Sequence, residues 1–191
     1  PSPALLAAAA NTLKVALIAT LVTLMIGVVL AWALRLAQQR RAFNRAQAAF
    51  RLSTLGYALP GTVLAIGLLA VYGGIDAVFG RALLMGSMTA LVLAYTLRFL
   101  AISAGTLDAG FARIPASLDQ AAGSLGCNGW QRLWRVHLPM LRPALAAAAL
   151  LVFVDTMKEL PATLVMRPFN FDTLATQAYT LASDERLAEA S

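Results

Sequence analysis

Apolar residues fall in long runs along this chain, separated by short polar stretches that carry most of its arginines. Val15 to Leu34 is 20 residues without a charge, a length that at about 1.5 Å per residue matches a hydrocarbon core of roughly 30 Å. This run predicts a first spanning helix, with Asn11 and Thr12 able to cap its start. Leu52 to Ile75 is again uncharged and contains Pro60, Gly61 and Gly67, residues tolerated in membrane helices because neighbours re-satisfy the freed backbone groups. It predicts a second span, kinked near Pro60. Gly61 with Ala65, and Ala70 with Gly74, are small pairs four residues apart that would allow close helix approach in lipid; the abundance of Gly and Ala in such a chain explains them equally well. Gly73 to Arg81, with Gly73, Gly74, Asp76 and Gly80, reads as a turn on the opposite side of the membrane. Ala82 to Leu97 then begins a third span that continues past Arg98, whose guanidinium would snorkel to the cytoplasmic headgroups.

Pro143 to Met166 predicts a fourth span of a different kind. Ala144 to Val154 is wholly apolar, but Asp155, Lys158, Glu159 and Pro161 follow before Ala162 to Met166 turns apolar again. Charges at that depth must face something other than lipid. At i, i+3 and i+4, Asp155, Lys158 and Glu159 would share one helix face, with Lys158 neutralising one carboxylate. Two readings stay open: the remaining carboxylate lines a pathway or gate, or it makes a structural ion pair with a neighbouring span.

Charge fixes the topology. The chain is 60% hydrophobic and 13% charged with a formal charge of +6, well outside the usual range of soluble domains. Its basic residues flank apolar runs instead of forming an amphipathic face with interleaved aromatics, which argues against nucleic acid as a partner. Arg35, Arg40, Arg41, Arg45 and Arg51 form one basic loop, and Asp108 to Arg142 holds Arg113, Arg132, Arg135 and Arg142. Together with Arg98 they account for ten of the fifteen Lys and Arg residues, so both loops are expected on the cytoplasmic side. Cys127 alone allows no intrachain disulfide, and with His137 as the single histidine no Cys/His metal site is expected. The absence of an initiating methionine, a first apolar run too long for a signal-peptide core, and the abrupt polar stretch Leu181 to Ser191 lead us to expect a piece of a longer protein.

Inside the second loop, Ser117 and Gln120 have the spacing of a capping box behind Pro115, and Gly126 suits a left-handed helix end. A short helix is predicted there. A second, Asn128 to Leu138, should end at Pro139 and carry Trp130, Leu133 and Trp134 on one face. These residues resemble the permease subunits of bacterial ABC importers, whose cytoplasmic loop reads Glu-Ala-Ala, three residues, Gly, nine residues, Ile, one residue, Leu-Pro. Gln120-Ala121-Ala122, Gly126, Val136 and Leu138-Pro139 stand at that spacing, with Gln for Glu and Val for Ile.

The resemblance implies an all-α, polytopic membrane bundle of the type I ABC importer permease fold, with at least four transmembrane helices and a cytoplasmic coupling-helix loop at about 108–142. One permease domain, 1–191, would lack its last span. Ser117, Asp119, Gln120, Ala121, Ala122, Gly126, Val136, Leu138 and Pro139 would meet a dimer of ATP-binding subunits. ATP and Mg would then sit on that partner, with no cofactor on this chain, and Gln120 removes a negative charge that could pair with an arginine there. Further implied partners are an extracytoplasmic substrate-binding protein, a second permease half, fused or separate, and the lipid of the bacterial inner membrane.

A second stretch, Lys158-Glu-Leu-Pro161-Ala-Thr163-Leu with Arg167-Pro168 and Phe171-Asp-Thr-Leu-Ala175 after it, looks like the corresponding region of ferric-iron importer permeases. It implies iron as cargo and a translocation pathway or gate formed by Asp155, Lys158, Glu159, Pro161 and Thr163. Thiamine, phosphonate, sulfate and polyamine permeases share the loop and remain alternatives. An ion-coupled secondary transporter using the Asp155 to Glu159 cluster is a further one. Arg167 and Asp172 are expected near the outer surface, touching the binding protein or simply solvated. An integral membrane enzyme is disfavoured, since the chain has no HExxH, no Ser and His pairing near a span, and no phosphate loop ending in Lys-Ser or Lys-Thr.

Overall fold

A computed structural model describes residues 3–38, 43–53 and 55–184. Arg40 and Arg41 of the first basic loop, and 185–191 of the polar end, lie outside the described residues. Within them every regular element is helical: α1 (Pro3–Gln38), α2 (Phe43–Ser53), a 3₁₀ turn (Leu55–Ala58), α3 (Gly61–Phe79), α4 (Met88–Ala112), α5 (Ala116–Ser124), α6 (Gly129–Arg132), a π-helical turn (Leu133–His137), α7 (Leu138–Met140), α8 (Arg142–Met157), α9 (Pro161–Met166) and α10 (Leu174–Ser183). Helices α1, α3 and α4 are each long and apolar enough to cross a membrane, and a fourth crossing is reached if the bent pair Gly129–Met140 and Arg142–Met157 counts as one span.

The apolar runs set the helices, but polar contacts set their limits. The first helix begins at Pro3, so Asn11 and Thr12 lie within it instead of capping it. Both reach sideways: Asn11 Nδ2 donates to the Asp172 carbonyl at 3.1 Å, and Thr12 Oγ1 accepts from the Leu174 amide at 2.8 Å. Pro60 does not kink a continuous second span. It is the N-cap of α3, its φ of −55° and ψ of 138° ending the preceding 3₁₀ turn and starting a new helix. The turn expected at Gly73 to Arg81 begins later, because α3 runs to Phe79 and closes on Gly80 in the left-handed region at φ 65°. Asp76 is therefore a helix residue, and its buried carboxylate accepts from the amides of Leu83, Leu84 and Met85. The third span starts at Met88, with the Ser87 hydroxyl accepting from the Ala90 amide at 3.1 Å.

Helices α1, α4 and α8 pack together, and two apolar cores follow. One gathers Val15, Leu91, Tyr95, Phe99, Val152 and Met166; the other gathers Ala31, Leu107, Phe111, Leu133 and Leu141 at the loop between α4 and α8. Close approach depends on Gly27, where a Cβ would stand 2.2 Å from Ser103 Oγ. Of the small pairs read from the sequence, Gly61 and Ala65 are buried, whereas Ala70 is exposed and a Cβ on Gly74 would meet nothing within 4 Å.

Candidate functional site

Two constellations assemble the residues singled out by the sequence. The first is the loop between α4 and α8. The ordinary φ of Pro115 (−58°) with ψ at 141° makes it the N-cap of α5, and no side chain caps that helix. Ser117 therefore sits inside the first turn and the expected Ser117–Gln120 capping box does not form. The box occurs one helix later: Asn128 Oδ1 accepts from the Gln131 amide at 2.8 Å and Gln131 Oε1 from the Asn128 amide at 3.0 Å. Between them Gly126 takes the left-handed conformation at φ 79°. The Cys127 amide bonds to the Ala122 carbonyl and the Gly126 amide to the Gly123 carbonyl, a Schellman ending that satisfies the last carbonyls of α5.

The second half of the loop runs through Pro139 instead of stopping at it. Over Leu133–His137 the winding widens to a π turn, closed by the Leu138 amide on the Leu133 carbonyl, and Pro139 falls in the first turn of α7, where no amide hydrogen is needed. The chain then bends by 74° into α8. Of the predicted Trp130, Leu133 and Trp134 face, only Leu133 is buried. Trp130 and Trp134 stay more than half exposed and pack edge to face, ring centroids 5.8 Å apart, with Trp130 also 6.1 Å from Trp32 of α1.

Asp119 was expected on the surface offered to a partner; it points the other way. Its side chain is 4% exposed. Arg35, at the end of the first span, donates Nε to Asp119 Oδ2 at 3.0 Å, Nη1 to the Phe111 carbonyl at 2.7 Å and Nη2 to the Ile114 carbonyl at 2.9 Å. One guanidinium thus closes the end of α4 and holds α5 at once. His137 Nε2 lies 2.7 Å from Asp119 Oδ1. Burial alone would raise the Asp119 carboxyl, but the bonds from His137 and the charge of Arg35 hold it below the usual carboxylate value. Burial, assisted by Arg35 and Arg132, outweighs Asp119 and lowers His137. The neutral ring therefore carries its hydrogen on Nε2 and donates to the carboxylate. Ala122, one turn on, also faces inward, while Gln120, Ala121, Gly123 and Ser124 are exposed, Val136 and Leu138 half-buried and Pro139 exposed.

The second constellation lies around the middle of α4. The stretch expected to form the fourth span is two helices, α8 and α9, separated at Lys158–Leu160. The break separates the three charges expected on one face. Asp155 pairs with Lys158 Nζ at 2.8 Å, with Lys158 largely exposed, while Glu159 is turned inward and pairs with Arg98 Nε at 3.0 Å. Arg98 does not snorkel to the headgroups. It sits about 15 Å along α4 from Met88 and about 21 Å from Ala112, near mid-helix. Arg98, Glu159, Asp155, Lys158, Tyr57 and Phe99 line a pocket of about 400 Å³. Pro161 opens α9, and buried Thr163 bonds back to the Glu159 carbonyl while contacting the Tyr95 hydroxyl. Beyond α9, Arg167 and Asp172 form an ion pair with each other. Among the described residues no group of three His, Cys, Asp or Glu is placed to hold a metal ion.

Sequence reasoning missed Arg35, Arg98 and His137. Each was visible as a charge or a lone histidine, but its partner lies on another element, 84 residues away for Arg35, 61 for Arg98 and 18 for His137. The Asn128–Gln131 box was legible locally, having the Asn-x-x-Gln spacing.

Comparison with known proteins agrees with this architecture. Residues 25–179 match the family described as binding-protein-dependent transport system inner membrane component. The chain is 32% identical over 141 residues to the Fe(3+)-transport system permease protein FbpB 2 of Haemophilus influenzae, covering 74% of this chain and 27% of that protein. It is 28% identical over 132 residues to a putative 2-aminoethylphosphonate transport system permease protein of Salmonella typhimurium, covering 69% and 48%. A probable sulfate transport system permease protein of Chlorokybus atmophyticus is 31% identical over 153 residues, covering 78% and 52%. The chain thus spans about a quarter to a half of the length of these relatives. A bacterial alginate ABC transporter, solved in complex with a periplasmic protein carrying an alginate pentasaccharide, has the same fold with a TM-score of 0.79 at 16% identity, covering 99% of this chain and 71% of that one. The chain belongs to the family of binding-protein-dependent transport system inner membrane components, the inner-membrane permeases of ABC importers.

Proposed function

We propose that this chain moves cargo across the inner membrane for an ATP-driven importer, taking it from an extracytoplasmic binding protein and drawing its energy from a separate ATPase that holds ATP and Mg. The observation that carries the reading is the two-sided geometry of α5. Its inner side, Asp119 and Ala122, is fastened to the ends of the first and third spans, while Gln120, Ala121 and Gly123 on the same short helix stay exposed. A rigid helix anchored in this way passes a push from its outer face to the spans as a rigid-body movement. Gln120, Ala121, Gly126 and the exposed Pro139 are the contacts assigned to the ATPase, with Ser117, Val136 and Leu138 supporting the loop's shape. Asp155, Lys158, Glu159, Pro161 and Thr163 are assigned to the pathway or its gate.

For the cargo we favour ferric iron. Support comes from the run around Lys158 to Ala175 and from the named iron permease among the relatives. The phosphonate and sulfate permeases, at 28% and 31% identity, support a phosphonate or sulfate importer as the second reading. Copurification tests the machine: the ATPase should be retained by the wild type and lost from Ala121→Arg, whose long charged side chain occupies the docking face. Retention by the variant, or uptake with no ATPase present, would overturn the proposal. Uptake of Fe(III), 2-aminoethylphosphonate and sulfate with the cognate binding protein then decides the cargo, and iron fails if another of these is taken up in its place.

A further inference from the structure

Two chain breaks meet at the middle of α4. The 3₁₀ turn before α3 packs on Leu97, so closely that a Cβ on Gly56 would stand 2.2 Å from the Leu97 carbonyl. The break between α8 and α9 arrives at the same level through Glu159. Each break frees backbone groups that lipid cannot satisfy, and one ion pair serves both. Arg98 Nη1 donates to the Leu59 carbonyl at 3.0 Å, just ahead of α3. Glu159 Oε1 accepts from the Ala162 amide at 3.3 Å in the first turn of α9. The two side chains then neutralise each other at 3.0 Å. Gly61 leaves room for them, since a Cβ there would lie 2.8 Å from Glu159 Oε1 and 3.1 Å from Arg98 Cζ.

Resting on the importer reading, we infer that Arg98, Glu159 and the Leu59–Gly61 break form a clasp joining the second, third and fourth spans, and that this clasp is the gate released when the pathway opens. Three observations favour a releasable contact over a packing device. The pair borders a pocket and is not enclosed in a core. It ties the first turns of α3 and α9 to the middle of α4, and such helix ends reorient more easily than helix interiors. A second pair, Asp155 with Lys158, stands at the same pocket and offers Arg98 and Glu159 alternative charged partners. Arg98 and Glu159 are positioning residues here: they select the conformation and need not hold cargo.

The test uses the complex of permease, ATPase and binding protein in proteoliposomes, comparing wild type with Glu159→Gln, Gly61→Ala and the double variant Arg98→Met with Glu159→Gln. The double variant removes both charges of the pair, so no uncompensated ion is left beside the buried position of Glu159; Gly61→Ala changes no charge at all. The readout is ATP hydrolysis without binding protein, set against hydrolysis with binding protein loaded with Fe(III). Release of the clasp should raise the unstimulated rate about tenfold in the charge variants, and by less in Gly61→Ala, with copurification of the ATPase unchanged. A double variant that assembles and keeps the wild-type ratio overturns the clasp alone. A wild-type chain that recruits no ATPase overturns the importer reading and the clasp with it.

Discussion

Replacing Asp119 by alanine would leave the buried Arg35 guanidinium with two carbonyls and no counter-charge. Breaking a buried pair from one side costs about 3 kcal/mol or more, so Asp119→Ala should lower the thermal midpoint of the purified chain clearly, while Gln120→Ala, exposed on the next position, should not. His137 adds a pH dependence to the same cluster. Its folded value lies below the ordinary 6.5, so its contribution is fully present above about pH 6.5 and is lost as the pH falls through the lower folded value. Asp119, also lowered, acts in the same direction but only below its ordinary 3.8. Protonating His137 would add a positive charge facing Arg35 and Arg132 and place a hydrogen on Nδ1, which has no partner in its buried setting. Thermal unfolding at pH 7.5 and 5.5 should show the wild type losing stability on acidification and His137→Gln losing less; equal losses would remove His137 as the titrating group.

At the scale of helices, contact distance is set by single small residues. Gly27 lets α1 lie on α4 with Ser103 Oγ bonded to the Thr23 carbonyl at 3.3 Å. A leucine there would press on Ser103 and on the Ala104 backbone amide, 3.3 Å from the first added carbon. Overpacking of this kind costs about 1–3 kcal/mol, so Gly27→Leu should unfold well before wild type in detergent, and Gly74→Leu, with open space around it, should match wild type. The sequence made the spans legible because hydropathy is local: α1 holds the run Val15 to Leu34 and α8 the run Ala144 to Val154, while α3 and α4 take up the larger part of theirs. Their ends were less legible. Counting charges carried the third span past Arg98 but sent its guanidinium to the headgroups, since a charge inside a helix looks the same whether it faces water or a partner, and the partner of Arg98 lies 61 residues on. In the loop, Gly126 could be read from its spacing, whereas the inward turn of Asp119 depended on Arg35 reaching it from another helix. Pro139 misled for a different reason: a π turn ahead of it removed the backbone conflict that ends an ordinary helix.

Across the whole molecule, the two charged constellations have α4 in common, and α4 packs with α1 and α8. The Asp119 cluster ties α5 to α1 and α4; the Arg98 cluster ties α4 to the breaks beside α3 and α9. Movement of α5 therefore has a continuous path of packed helix to the pocket near Arg98. The aromatic stack beside the loop gives a means of watching its first step. The chain has three tryptophans, and Trp32, Trp130 and Trp134 are all in that stack, one on α1 and two on the segment after α5. Its natural ultraviolet emission consequently comes from a single place, the joint between the first span and the loop. Rings this close exchange excitation energy, so a small change in their spacing or wetting alters colour and lifetime together. The unlabelled protein carries its own optical gauge of that joint, and docking of an ATPase should change its reading before any cargo moves.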